Sequence, residues 1–132
     1  MLRITKLTDY AIVLLTNLAE NHPQRQSAAT LAQHTGIGLP TVSKLLKTLQ
    51  KQHIVISHLG MDGGYQLVES PDRYSLAQII TALEGPIALT QCNLAQGNCV
   101  HEQSCHVRPH WQRINRAVLN TLEKISLAEV IH

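Results

Sequence analysis

Three cysteines carry the most specific chemistry in this chain. Cys92, Cys99 and Cys105 are its only cysteines and fall within 14 residues, with six residues between the first two and five between the last two. An odd count argues against a disulfide framework and for metal or redox chemistry. Thiolates are soft ligands suited to zinc and to iron–sulfur clusters. Zinc sites usually show close Cys-x-x-Cys knuckles, and none is present. Wide spacing, with Gly97, Asn98 and Ser104 between the sulfurs, lets a loop wrap a larger object and favours a cluster over a single ion. Such clusters usually take four protein ligands. The fourth must be a residue other than cysteine or come from another chain, and His101, His106, His110, Glu102 and Asp9 are the candidates. The polar neighbours of the cysteines argue against three inert apolar side chains.

A second set of residues is electrostatic. No acidic residue occurs between Glu20 and Asp62, yet that stretch holds Arg25, Lys44, Lys47 and Lys51 besides His22, His34, His53 and His58. The whole chain, with 11 basic and 9 acidic residues, has a formal charge of only +2. Four cations without an anion, inside a nearly neutral chain, suggest an anionic partner met by one surface. Three lysines alone would fit a merely solvated helix face. The element order decides between the two.

The elements that must position these residues follow from periodicity and caps. A first helix is expected from an N-cap at Thr8, with Asp9 in its first turn and Leu7, Ala11, Leu14, Leu15 and Leu18 on its buried face. Ser27 caps a short second helix, Ala28 to Thr35, which Gly36 ends. A third helix follows after a tight turn, with Pro40 near its start. Its Val42, Leu45, Leu46 and Leu49 form one apolar stripe. Pro40, Thr41, Lys44, Lys47, Thr48 and Lys51 fall on the opposite side. Ile54–Ser57 and Tyr65–Val68 are expected as the strands of a hairpin around Gly60-Met61-Asp62-Gly63-Gly64. Ser75 and Gln78 make a capping box for a fourth helix with Leu76, Ile79, Ile80 and Leu83 on its apolar face, stopped by Gly85-Pro86. Residues 86–107 form a long loop that holds every cysteine, and a loop of that length in a small domain is usually functional. A last long helix starts at Arg108. Its Trp111, Ile114, Val118, Leu122 and Ile125 make a coiled-coil-like stripe about 27 Å long. No later element is large enough to cover that stripe, so a second copy of the chain is expected there. Ser126 and Glu129 can cap a final short helix.

The expected fold class is therefore mainly α with a small β-hairpin: a winged helix-turn-helix (residues 1–85), a cysteine-bearing cluster loop (86–107) and a long C-terminal dimerisation helix with its tail (108–132). In a winged helix-turn-helix the third helix enters the DNA major groove. Thr41 and Ser43 can hydrogen-bond to bases or phosphates there, and Lys44 and Lys47 reach phosphates or guanine, with Pro40 beside them. Gly63 and Gly64, in the hairpin tip, would lie near the minor groove. Among 132 residues 44% are hydrophobic and 15% charged, which supports a packed core and excludes wholesale disorder. No apolar run is long enough to span a bilayer and no signal-peptide pattern is present, so a cytoplasmic protein without a membrane partner is expected. No paired carboxylates, nucleophile–base set or phosphate loop points to an enzyme.

Taken in order, Leu7-Thr8-Asp9-Tyr10-Ala11, Leu39-Pro40-Thr41-Val42-Ser43-Lys44, Gly60-Met61-Asp62-Gly63-Gly64-Tyr65-Gln66-Leu67, Glu84-Gly85-Pro86-Ile87-Ala88-Leu89-Thr90 and the three cysteines resemble the Rrf family of bacterial winged-helix regulators over nearly the whole chain. The Glu84-Gly85-Pro86-Ile87-Ala88-Leu89 run and the Thr41-Val42-Ser43-Lys44 start of the third helix look like the branch that regulates SUF-system iron–sulfur assembly. The resemblance implies a homodimeric repressor that binds a double-stranded DNA operator and holds a 2Fe-2S or 4Fe-4S cluster on Cys92, Cys99 and Cys105. In one branch a histidine three residues after the last cysteine completes the site. That position is Arg108 here, which cannot ligate, and His106 lies two residues too early. In the nitric-oxide-sensing branch an aspartate at the start of the first helix, donated by the partner subunit, completes it, and the matching residue is Asp9. Two further departures concern DNA. Leu59 stands where an arginine usually precedes the wing glycine, and His53 replaces the glycine usual after the third helix. The rival expectations are a zinc-, thiol-redox- or nitric-oxide-sensing regulator of the same fold, and a small iron–sulfur carrier.

Overall fold

The computed structural model describes residues 3–94 and 104–131. Helix α1 spans Lys6–Glu20 and starts one turn before the position expected from sequence. Thr5 rather than Thr8 is the N-cap, its hydroxyl accepting the Thr8 N–H, while Thr8 itself is buried in the first turn. Either threonine satisfies the capping rule locally, and the earlier one wins because Lys6 and Leu7 are good helix formers. The extra turn runs past the end of the core. Leu7, expected inside, is 45% exposed on a groove shared with Lys44, Thr48 and Leu83.

Helix α2 (Ala28–Thr35) has the expected ends: the Ser27 hydroxyl accepts the Thr30 N–H, and Gly36 closes it at φ 74°. Helix α3 (Leu39–Lys51) buries Val42, Leu45, Leu46 and Leu49 against α1 and α2. It ends in Gln52 and His53, and His53 is held at φ 60°, the left-handed region. That conformation costs a non-glycine residue about 1–2 kcal/mol, while glycine loses more chain entropy on folding, about 0.5–1 kcal/mol. His53→Gly is therefore expected to stabilise the protein by up to about 1 kcal/mol, read as a higher urea midpoint with an unchanged slope.

The hairpin pairs β1 (Val55–His58) with β2 (Gly64–Leu67), Val55 opposite Leu67 and His58 opposite Gly64. Both strands are displaced by one residue from the sequence expectation. The Ile54 N–H is already spent on the Leu49 carbonyl at 3.0 Å, so regular pairing begins at Val55. Gln26 adds a third edge by exchanging two backbone hydrogen bonds with Tyr65, at 2.9 and 2.7 Å.

Helix α4 (Leu76–Glu84) opens with the predicted Ser75–Gln78 capping box and buries Ala77, Ile79 and Ile80. Helix α5 (Arg108–Lys124) packs on α4. The tail then returns: Leu127 is fully buried among the α1–α3 core residues, and its N–H donates to the Tyr74 carbonyl at 2.8 Å. The buried Tyr74 hydroxyl accepts the Glu69 N–H and donates to the Ile54 carbonyl, and burial pushes its acidity below that of a free phenol. Trp111 and Ile114 are 38% and 44% exposed, so the first half of the α5 stripe is uncovered within one chain. Among the described residues no helix is long and apolar enough to cross a membrane.

Candidate nucleic-acid interface and cysteine loop

Helix α3 has two chemically distinct sides. Its core stripe is buried, whereas Pro40, Lys44, Lys47 and Lys51 are exposed and Thr41, Ser43 and Thr48 are half-buried at the edges. The Thr48 hydroxyl donates to the Lys44 carbonyl at 3.2 Å, so its proton is spent on the helix. The helix starts at Gly38 with no side-chain cap and no acidic residue in its first turn. Its positive N-terminal end therefore meets no carboxylate of its own first turn. The wing is joined to this helix by Gln50, whose Nε2 donates to Ser57 Oγ at 3.1 Å.

Gly63 and Gly64 sit where side chains do not fit. A Cβ on Gly64 would lie 2.8 Å from the Gln26 carbonyl carbon and oxygen, at a φ of 130°. A Cβ on Gly63 would fall on the carbonyl oxygens of His58 and Gly60. Both glycines thus serve close backbone approach inside the wing. Arg25 counts as one cation among several in the sequence, but the structure gives it a place. Its Nη1 donates to the Asp62 carbonyl and its Nε to Gln66 Oε1, both at 3.3 Å. Nothing local in the sequence links residues that far apart.

The cysteine segment is anchored at its entry. Asn115 is the buried residue of α5; its Oδ1 accepts the Leu89 N–H at 2.8 Å and its Nδ2 donates to the Ile87 carbonyl at 3.2 Å. The signal for this clamp in the sequence is a polar residue beside Ile114 of the apolar stripe. Three residues beyond Leu89, Cys92 is free and half-buried, with its Sγ 3.0 Å from Thr90 Oγ1. The Asn93 amide donates to that same Oγ1 at 2.8 Å, which leaves the Thr90 proton able to point at the sulfur. Cys105 is also free and half-buried. Cys99, His101 and Glu102 lie outside the described residues. Asp9 is exposed in the first turn of α1, and the start of that helix is tied to the root of the loop by the Thr5 N–H, which donates to Glu84 Oε1 at 3.2 Å. His106 and His110 are exposed. Among the described residues no three His, Cys, Asp or Glu side chains converge, so Cys92, Cys105 and Asp9 do not meet within one chain. The donor chemistry fits an iron–sulfur cluster nonetheless: two half-buried thiols outside any disulfide flank the loop, one beside a hydroxyl that can donate to a thiolate ligand.

A winged helix-turn-helix that turns a cationic helix face outward and carries free thiols in the following loop is the build of a DNA-binding regulator. Residues 4–132 match the Rrf2 family model, described as an iron-dependent transcriptional regulator, and the chain belongs to that family. It is a transcriptional regulator and not an enzyme. The regulator IscR of Erwinia tasmaniensis is 26% identical over 99% of this chain and 79% of its own length. Among solved structures, CymR (YrzC), the global cysteine regulator of B. subtilis, superposes with a TM-score of 0.80 at 27% identity, covering 98% of this chain and 96% of that one. The T. potens IscR structure shares the fold, with a TM-score of 0.74 at 24% identity over 97% of this chain and 85% of that one.

Proposed function

We propose that the chain is a cytoplasmic, homodimeric repressor that responds to iron–sulfur status and governs iron–sulfur assembly genes, in the branch that serves the SUF system. The observation that carries its DNA side is the exposed Lys44–Lys47–Lys51 face of α3, set opposite a fully buried stripe. Pro40, Thr41, Ser43, Lys44 and Lys47 meet the major groove of an operator, and Gly63 and Gly64 shape the wing beside it. Residues 1–85 are the DNA-binding unit, 86–107 the cluster loop and 108–132 the dimerisation helix and tail. The exposed Trp111 and Ile114 of α5 support a second copy as the partner.

Cys92, Cys99 and Cys105 would hold the cluster, with Asp9 of the partner subunit as fourth ligand. When bound, an iron–sulfur cluster would supply a redox- and oxygen-labile tie between the loop and that subunit. Asn115 and Thr90 hold the loop entry and the first sulfur in place. The Thr5–Glu84 contact joins the loop root to α1, which packs on α3. A coupling of about 1–3 kcal/mol along this route changes operator occupancy about 5–150-fold.

Anaerobic purification and reconstitution test this reading. The expected product is a coloured protein with matching iron and sulfide, and Cys92→Ser loses both. The likeness to CymR, named a cysteine regulator, favours one second reading, in which the thiols sense redox state directly. A colourless protein without iron, whose DNA binding changes when its thiols are oxidised, selects that reading instead.

A further inference from the structure

The wing ends in two apolar side chains that the folded chain does not use. Leu59 is 98% exposed and Met61 104%, one on each side of Gly60. Isolated exposed apolar residues are ordinary, but two at full exposure on one hairpin tip make a hydrophobic point. That point is braced. The Gly63 N–H closes the turn on the Gly60 carbonyl at 3.0 Å, and Arg25 grips the Asp62 carbonyl and Gln66 from outside. Gln26 fixes the base of β2, and Gln50 fixes β1 to α3, so the tip has a set position relative to the cationic helix face. Asp62 is the only formally charged residue among residues 55–67. Alone it would set an anion against a polyanion, and the Arg25 guanidinium at its backbone offsets that charge.

We propose that the wing is a minor-groove wedge: Leu59 and Met61 enter the minor groove flanking the site of α3, while Arg25 holds the tip and supplies its cation to the adjoining phosphates. The proposal rests on the DNA-binding reading of α3. Leucine and methionine are among the side chains that slip between base steps and kink a duplex. The unstacking costs least at flexible pyrimidine–purine steps. A wedge of this kind reads deformability rather than base edges, so it places the preferred flexible step where the wing lands. The tip's continuity with the cationic face of α3, and the arginine that braces it, favour DNA as the occupant over a second protein surface.

The probe is a short duplex selected from a randomised pool by the wild-type protein and labelled at both ends for distance measurement. Leu59→Ser/Met61→Ser, fully exposed and so neutral to folding, is expected to abolish the bend and weaken binding about tenfold. The wild-type salt slope stays, because no charge is removed. Arg25→Gln is expected to lower that slope by about 2 per dimer. An unchanged bend and affinity in the double variant, with major-groove protection by α3 intact, overturns the wedge alone. A changed sedimentation behaviour of the free double variant makes the tip a contact between copies and also overturns it. Absence of salt-dependent binding by the wild type overturns the wedge and the DNA-binding reading together.

Discussion

Lys44→Ala/Lys47→Ala is expected to weaken operator binding roughly 1,000-fold near 0.1 M salt and to remove most of the salt dependence. The magnitude follows from counterion release. Each lysine on a phosphate contributes about 0.9 to the slope of log affinity against log salt, and a dimer loses four such contacts, a change of about 3.6. Raising salt from about 50 to 200 mM therefore costs the wild type about 150-fold more affinity than the variant. Both lysines are exposed and neither side chain has a partner among the described residues, so the unfolding midpoint should not move. If the lysines are only a solvated face, the salt slope of the variant equals that of the wild type. Lys51 is the internal control. It stands in the last turn of α3, where a cation also favours the helix dipole. Its removal is expected to change the slope less and the stability more.

What the sequence made legible was local. Ser27 and Gly36 bracket α2, Ser75 and Gln78 cap α4, and Val42, Leu45, Leu46 and Leu49 define the α3 core stripe, because each signal lies within one or two helical turns. The two faces of α3 follow from the same periodicity, and so does the candidate DNA surface. Local signals mislead where two local solutions compete or where the deciding contact is distant. Thr5 and Thr8 both satisfy the capping rule locally, and Thr5 is the cap because Lys6 and Leu7 extend the helix ahead of Thr8. The Ile54 N–H is taken by the end of α3, which shifts the strands. The Asn115 clamp joins α5 to a segment 26–28 residues away, and Arg25 reaches 37 residues to the Asp62 carbonyl. Cysteine spacing suggests the ligand class without geometry, since ligand convergence depends on loop path and on the partner subunit. Leu127 shows the same limit: its burial depends on the chain turning back after α5, which no nearby residue announces.

Gly64→Ala is expected to destabilise the protein by about 3 kcal/mol or more, a large share of the 5–15 kcal/mol typical of a domain. Two costs combine. The backbone at φ 130° lies in a region that side chains avoid, worth about 1–3 kcal/mol. The new Cβ also meets the Gln26 carbonyl group at 2.8 Å and the Ser27 nitrogen at 3.1 Å. Those atoms are backbone and cannot swing aside. Relief requires separating Gln26 from Tyr65, whose two hydrogen bonds tie the wing to the start of α2. Gly60→Ala separates the two costs. Gly60 has φ 101° but nothing within 4 Å of its Cβ position, so it is expected to show the backbone penalty alone. Urea midpoints of the two variants measure the difference, which reports the Gln26 contact. A glycine kept only to let DNA approach would behave otherwise. Gly64→Ala would then leave the midpoint at that of Gly60→Ala and lower affinity instead. A large stability loss at Gly64 alone means that the wing is positioned from within the protein before any duplex arrives.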